Sequence, residues 1–298
     1  MMSTHPFDHV RITFFMLMWL VYPYFLFGVD IFTADIGPDA PEYVWDLTYS
    51  YYLQLTLLIA IALTAIFPVK LPQQPLLGRS PTNRDIRTMT VLAVYLYINA
   101  IACIYLVFWP LSFSFPLYVE YSLINGSEIV YADADGYPLL PNLLSIISLC
   151  VLAPLIEEFA FRGVILPRLA RLMSLPSAIF WSSLTFGIVH TDVLGATIFG
   201  IVMCLVYLRT QSLWLPIFCH AIYNFGVWLV ELGYKVTLGY DYDYDYTLAD
   251  FQESYSWGVW ALLISIIWTA LYLKHKYKPA PWRLPMDPLS PTDDKELR

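Results

Sequence analysis

Eight stretches of roughly 17 to 22 mostly apolar residues run through the chain, at about 12–33, 47–67, 88–109, 141–161, 174–190, 193–209, 213–232 and 257–273. The hydrocarbon core of a bilayer takes about 20 apolar residues per helix. Lipid offers the backbone no hydrogen-bond partners, so runs of this length span as helices. The expected fold is therefore all-α, a polytopic transmembrane helix bundle of about eight spans. Charged residues make up only 13% of the 298 and hydrophobic residues 58%, with a mean hydropathy of +0.59. Soluble domains carry about 25% charged residues. The net charge of -8 speaks against a nucleic-acid partner. The first apolar run is followed by acidic residues rather than a small-residue cleavage site, so it reads as a retained span.

Basic residues set the orientation. Arg11, Lys70, Arg79, Arg84, Arg87, Arg162, Arg168, Arg171, Arg209 and the tail from Lys274 to Arg298 all fall on one side of an eight-span path. The opposite loops hold Lys235 alone among basic residues, with acidic runs around 30–46, 132–135 and 239–250. Both termini are expected in the cytoplasm, with the protein integral to the plasma (inner) membrane if the source is bacterial. Three regions follow: N-terminal helices and loops over 1–140, a core over 141–235, and an acidic external loop, last helix and cytoplasmic tail over 236–298. The alternating tyrosines and aspartates at 240–246 read as external loop, and Asn125-Gly126-Ser127 forms a glycosylation sequon on the same face. The four cysteines lie in apolar runs without metal-ligand spacing and read as buried free thiols.

Strongly polar groups stand out deep in the spans at three places: Glu157, Glu158 and Arg162; His190 at the end of "FGIVH"; and His220 with Asn224 in "HAIYN". Ionisable groups cost a few kcal/mol each in a membrane, so they face a cavity or a partner. Glu158 and Arg162 are four residues apart and can pair on one helix face. Glu157 is rotated about 100° from Glu158, which implies a different role. Pro154 removes a backbone hydrogen bond one turn before Glu157 and favours a kink. Gly163, Gly187, Gly195 and Gly200 permit close helix packing.

A carboxylate in a low-dielectric cavity can serve as a general base near neutrality. A histidine beside it can orient a water, and a second histidine with a carboxamide can donate to an oxyanion. These groups suffice for attack of water on an amide. No serine or cysteine nucleophile accompanies them. Zinc held by the two histidines, a glutamate and the asparagine is the competing reading, although His-Glu-x-x-His is absent and asparagine is a poor ligand. The plainer alternative is a helix-packing ion pair with the histidines as polar glue. The lack of internal repeats speaks against a proton-coupled transporter built on the two glutamates.

Glu157-Glu158-x-x-x-Arg162, Phe186-x-x-x-His190 and His220-x-x-x-Asn224, in that order, resemble the three motifs of the CPBP (ABI, or CAAX prenyl endopeptidase type II-like) family of glutamic-type intramembrane proteases. The resemblance covers about residues 143–230. It implies an endopeptidase acting on a membrane-associated peptide or protein without a cofactor. Glu157 would activate water with His190 as partner, His220 and Asn224 would stabilise the oxyanion, and Glu158 and Arg162 would shape the site or bind substrate. A non-catalytic scaffold or bacteriocin-immunity protein of the same fold is the alternative it leaves open. The charge pattern makes its own prediction: reporter fusions after residues 40, 130 and 245 all report the external side.

Overall fold

The computed structural model describes residues 6–21, 40–66, 77–125, 128–132, 136–238 and 246–275. A single 3-10 turn, Pro6–His9, leads into α1 (Ile12–Met16), which continues as a wider turn through Val21. The rest of the first expected span, most of the 240–246 repeat, two sequon residues and the tail lie outside the described residues. There follow α2 (Glu42–Ile61, extended to Ile66), α3 (Asn83–Ser114), α4 (Pro116–Val119, extended to Ile124), α5 (Leu139–Ala170), α6 (Leu175–Ile188), α7 (Val193–Thr210), α8 (Trp214–Leu238), α9 (Leu248–Glu253) and α10 (Tyr255–His275). Among the described residues there is no β-strand, only an isolated bridge between Gly78 and Ser212.

Local sequence explains the helix starts. Thr82 with Asp85, and Thr247 with Asp250, form reciprocal capping boxes for α3 and α9. Asp192 caps α7 by accepting from the Gly195 N–H at 2.9 Å. At Gly78 a positive φ of 67° lets the backbone meet residues 211–212 closely enough that no side chain would fit. That contact ties the turn between α7 and α8 to the segment before α3, with Leu213 donating to the Leu77 carbonyl at 3.0 Å.

Among the described residues six helices are long and apolar enough to cross a membrane: Tyr43–Ile66, Asn83–Ser114, Leu139–Ala170, Val193–Thr210, Trp214–Thr237 and Tyr255–Tyr272. The protein is an integral membrane protein with a polytopic helical bundle. The fifth expected span departs from the sequence reading of 174–190. α6 has only 14 residues, which at about 1.5 Å each is roughly 21 Å, short of a hydrocarbon core of about 30 Å.

The helices surround α5. Tyr51 on α2 donates to the Leu144 carbonyl at 3.0 Å, and Gln54 one turn later reaches Ser148, so α2 runs parallel to α5. α8 runs antiparallel, with His220 at Glu158, Asn224 at Leu149, and Trp228 and Ser145 both bonded to the Ile129 carbonyl. These relative directions match the eight-span path drawn from the basic residues. One core joins Phe15 and Trp19 of α1 to Ile61, Phe161, Phe186 and Met203 from four further helices. Large apolar residues on the outer faces, such as Leu106, Phe113, Trp257 and Ile266, are exposed as lipid contact requires.

Without a hydrophobic drive between helices in lipid, close approach at small residues carries the packing. A Cβ on Gly200 would lie 2.9 Å from Ser183 Cβ, so α6 and α7 touch there at backbone distance. Gly187 is likewise crowded by Val193 and Thr197 of α7, Gly195 is crowded only by its own capping residue Asp192, and a Cβ on Gly163 would meet only ordinary contacts at 3.6 Å; at these last two the expectation of close helix packing does not hold. Overpacking costs about 1–3 kcal/mol. Gly200→Val accordingly lowers the melting temperature in detergent, while Gly163→Ala leaves it unchanged.

Candidate active site

α5 is not a uniform helix. It widens to π-helical geometry over Ile147–Leu152 and again over Phe159–Ile165, leaving a short α-helical piece, Ala153–Glu158, between them. Such widened turns re-aim side chains and cluster at functional sites. Both glutamates stand at the end of this piece.

Glu158 is wholly buried, at 0% exposure. Its Oε1 accepts from Arg162 Nη1 at 3.0 Å and from His220 Nδ1 at 2.9 Å. Arg162 is buried too and donates a second bond to the Gly200 carbonyl at 3.1 Å. Its guanidinium carbon lies 4.8 Å from the centre of the Phe186 ring, a cation–π distance. Glu158 Oε2 has no hydrogen-bond partner among the described residues.

Glu157 is turned elsewhere. Its side chain is 22% exposed, and its Oε2 faces His190 Nε2 at 4.0 Å, beyond a direct hydrogen bond. His190 Nδ1 lies 2.7 Å from the Phe186 carbonyl. A carbonyl only accepts, so Nδ1 carries the proton, and in the neutral ring Nε2 is left with its lone pair toward Glu157. The sequence reading placed His190 on its helix. Instead α6 stops at Ile188, and His190 sits in the turn before Asp192 caps α7. This frees the ring from a helix face. Asp192 is close by; burial raises its carboxyl above the usual range, opposed by the Gly195 N–H and by nearby His190.

On α8, His220 and Asn224 are both buried. His220 Nδ1 is committed to Glu158, so Nε2 is its free nitrogen. Asn224 Nδ2 donates one proton to the Leu149 carbonyl at 2.7 Å and keeps a second N–H. Five of the six residues singled out by sequence thus form two connected groups, and Asn224 stands beside them on the Leu149 carbonyl. Glu158, Arg162, His220 and the backbone of α7 make one; Glu157 and His190 make the other. The Phe186 ring joins them, 4.4 Å from the His190 ring and 6.1 Å from the His220 ring. Among the described residues no three His, Cys, Asp or Glu side chains converge as a metal centre.

Sequence reasoning gave Phe186 no role of its own, although it opens the second motif. It also passed over Gln54 on α2 and Asn99 on α3. Gln54 Nε2 donates to Ser148 Oγ at 2.8 Å and to its carbonyl at 3.2 Å. Asn99 accepts from the Cys103 thiol at 3.7 Å. An amide inside an apolar run was the signal in both cases.

Residues 139–226 match the model of the family described as Type II CAAX prenyl endopeptidase Rce1-like. The resemblance read from the three motifs holds at that level. A Bacillus subtilis (strain 168) protein named "Putative membrane peptidase YdiL" is 33% identical over 118 residues, 39% of this chain and 48% of the relative. The chain therefore spans about half the length of that curated relative. No solved structure matches it.

Removing one partner of a buried ion pair strands the other charge, at a cost of about 3–5 kcal/mol. Glu158→Gln accordingly lowers the melting temperature markedly, and adding Arg162→Gln restores part of the loss. A double variant no more stable than Glu158→Gln alone would remove the ion pair from the account.

Proposed function

We propose that this protein is an intramembrane endopeptidase that hydrolyses a peptide bond of a membrane-associated peptide or protein with water activated by glutamate. The observation carrying this reading is the Glu157 carboxylate opposite Nε2 of His190, a pair held apart by 4.0 Å and not bonded to each other. The matched family and the name of the Bacillus relative both point to peptidase activity.

Water held between Glu157 and His190 loses a proton to Glu157 as its oxygen adds to the scissile carbonyl carbon. The carbonyl π electrons move to oxygen, and the second Asn224 N–H and His220 Nε2–H donate to that oxyanion. Nε2 donates only from a doubly protonated ring, and Glu158 lies at Nδ1 as its counter-ion. The intermediate collapses when Glu157 passes its proton to the leaving amine and the C–N bond breaks. Arg162, in turn, keeps the Glu158 carboxylate in place. No cofactor enters these steps. In the cell we place both termini in the cytoplasm and the substrate in or at the membrane, the plasma (inner) membrane if the source is bacterial.

Two other readings remain defined alternatives: a zinc-dependent version in which the same residues, the two histidines, a glutamate and the asparagine, become ligands, and a scaffold or immunity protein that binds a peptide without cutting it. Purified full-length protein in proteoliposomes, incubated with a membrane-anchored peptide library and analysed by mass spectrometry, separates them. General-base catalysis contributes about 10²–10⁴-fold, so Glu157→Gln lowers turnover by that factor with an unchanged melting temperature, and activity survives chelator. Near-normal turnover in Glu157→Gln overturns water activation by that residue. Loss of activity on chelation, restored by zinc, supports the metal reading. Peptide binding without cleavage supports the scaffold.

A further inference from the structure

The mount of Asn224 is built from backbone. Over Ile147–Leu152 the helix bonds skip to the fifth residue: the Ala153 N–H reaches the Ser148 carbonyl. The next N–H in that series would serve Leu149, but it belongs to residue 154, which is proline and has none. In lipid an unused carbonyl is costly. The Leu149 carbonyl is the one that Asn224 Nδ2 takes, at 2.7 Å. From the opposite side α2 holds the same turn. Gln54 Nε2 donates to both oxygens of Ser148, and Ser50 Oγ lies 2.8 Å from Ser148 Oγ.

We infer that Pro154 and Gln54 are positioning residues for the oxyanion arm: Pro154 withholds the N–H that would occupy the Leu149 carbonyl, Gln54 clamps the widened turn, and Asn224 is thereby fixed with its second N–H free. The inference rests on the proposed hydrolysis for its catalytic meaning, but the mount itself is a statement about hydrogen bonds. It makes Pro154 more than a kink. A proline whose only effect is to bend a helix is replaced by alanine with gained stability and no catalytic penalty. A proline that keeps a carbonyl vacant is replaced with a catalytic loss even as stability holds or rises.

The chain has five asparagines. Solid-state NMR of ¹⁵N-asparagine-labelled protein in lipid therefore resolves the Asn224 side-chain amide, assigned by its disappearance in Asn224→Ala. In Pro154→Ala the new backbone N–H competes for Leu149, and the Asn224 resonance shifts. In Gln54→Met, which keeps the length of the side chain, it shifts in the same sense. With a cleaved peptide in hand, Asn224→Ala lowers kcat about 10²–10³-fold, the range for one lost oxyanion donor. Pro154→Ala lowers kcat by up to about 10²-fold, the cost of a small misplacement, with KM and melting temperature held. The Pro154→Ala/Asn224→Ala double variant is no slower than Asn224→Ala alone, because both act through one amide. An unmoved Asn224 resonance in both positioning variants overturns the inference. So does unchanged kcat in Pro154→Ala, or additive losses in the double variant. If the wild type cleaves nothing, the hydrolytic reading fails while the NMR arm still decides the mount; if Pro154→Ala does not fold, Gln54→Met carries the same readouts.

Discussion

A carboxylate with no exposed surface, Glu158, sits where four helices meet, and the bundle is arranged around its charge. Taking an ion out of water costs several kcal/mol even after relaxation, and no lipid-facing position could compensate. Arg162 supplies the counter-charge from the next turn of α5, α8 brings His220 to the same oxygen, α7 offers the Gly200 carbonyl to the arginine, and α6 lays the Phe186 ring against the guanidinium. Buried pairs of this kind add little net stability over a well-packed apolar core. Their effect here is geometric: a helix shifted by one turn would strand a charge, so the pair selects one register for α5 against three neighbours.

Adjacent glutamates with opposite fates follow from that register. Once Glu158 points into the bundle, Glu157, about 100° round the helix, must look toward the turn between α6 and α7. It keeps partial exposure and an unpaired oxygen, and faces a histidine no longer on a helix. One carboxylate is spent on architecture so that its neighbour can remain uncommitted. The two π-helical segments flanking them are what let a single helix meet both demands.

Much of this was legible in the sequence because lipid makes the code severe. Apolar runs marked the spans, and strongly polar groups in the wrong solvent marked Glu157, Glu158, Arg162, His190, His220 and Asn224. The i,i+4 spacing alone gave the ion pair. What stayed hidden depended on backbone detail that side-chain pattern does not carry. Nothing in the "FGIVH" run says that α6 ends two residues before His190; the terminus is set by Asp192 capping the next helix. The widened turns of α5 leave no compositional mark, so the pairing of Gln54 with Ser148 and of Asn224 with Leu149 could not be read. Phe186 looked like one apolar residue among many until the ring was seen between a guanidinium and two imidazoles.

The short length of α6 carries a consequence for the surrounding solvent. A helix of 14 residues leaves roughly 9 Å of a 30 Å hydrocarbon layer uncrossed. The turn at 189–192 is held by the His190 N–H on the Gly187 carbonyl and by the Ala196 N–H on the Asp192 carbonyl, and irregular backbone of this kind belongs against protein or water rather than lipid tails. Either the bilayer thins over it or the gap hydrates. In both cases the aqueous phase would come closer to His190, and the proposed hydrolysis would draw its water from the bulk through a notch made simply by ending one helix early.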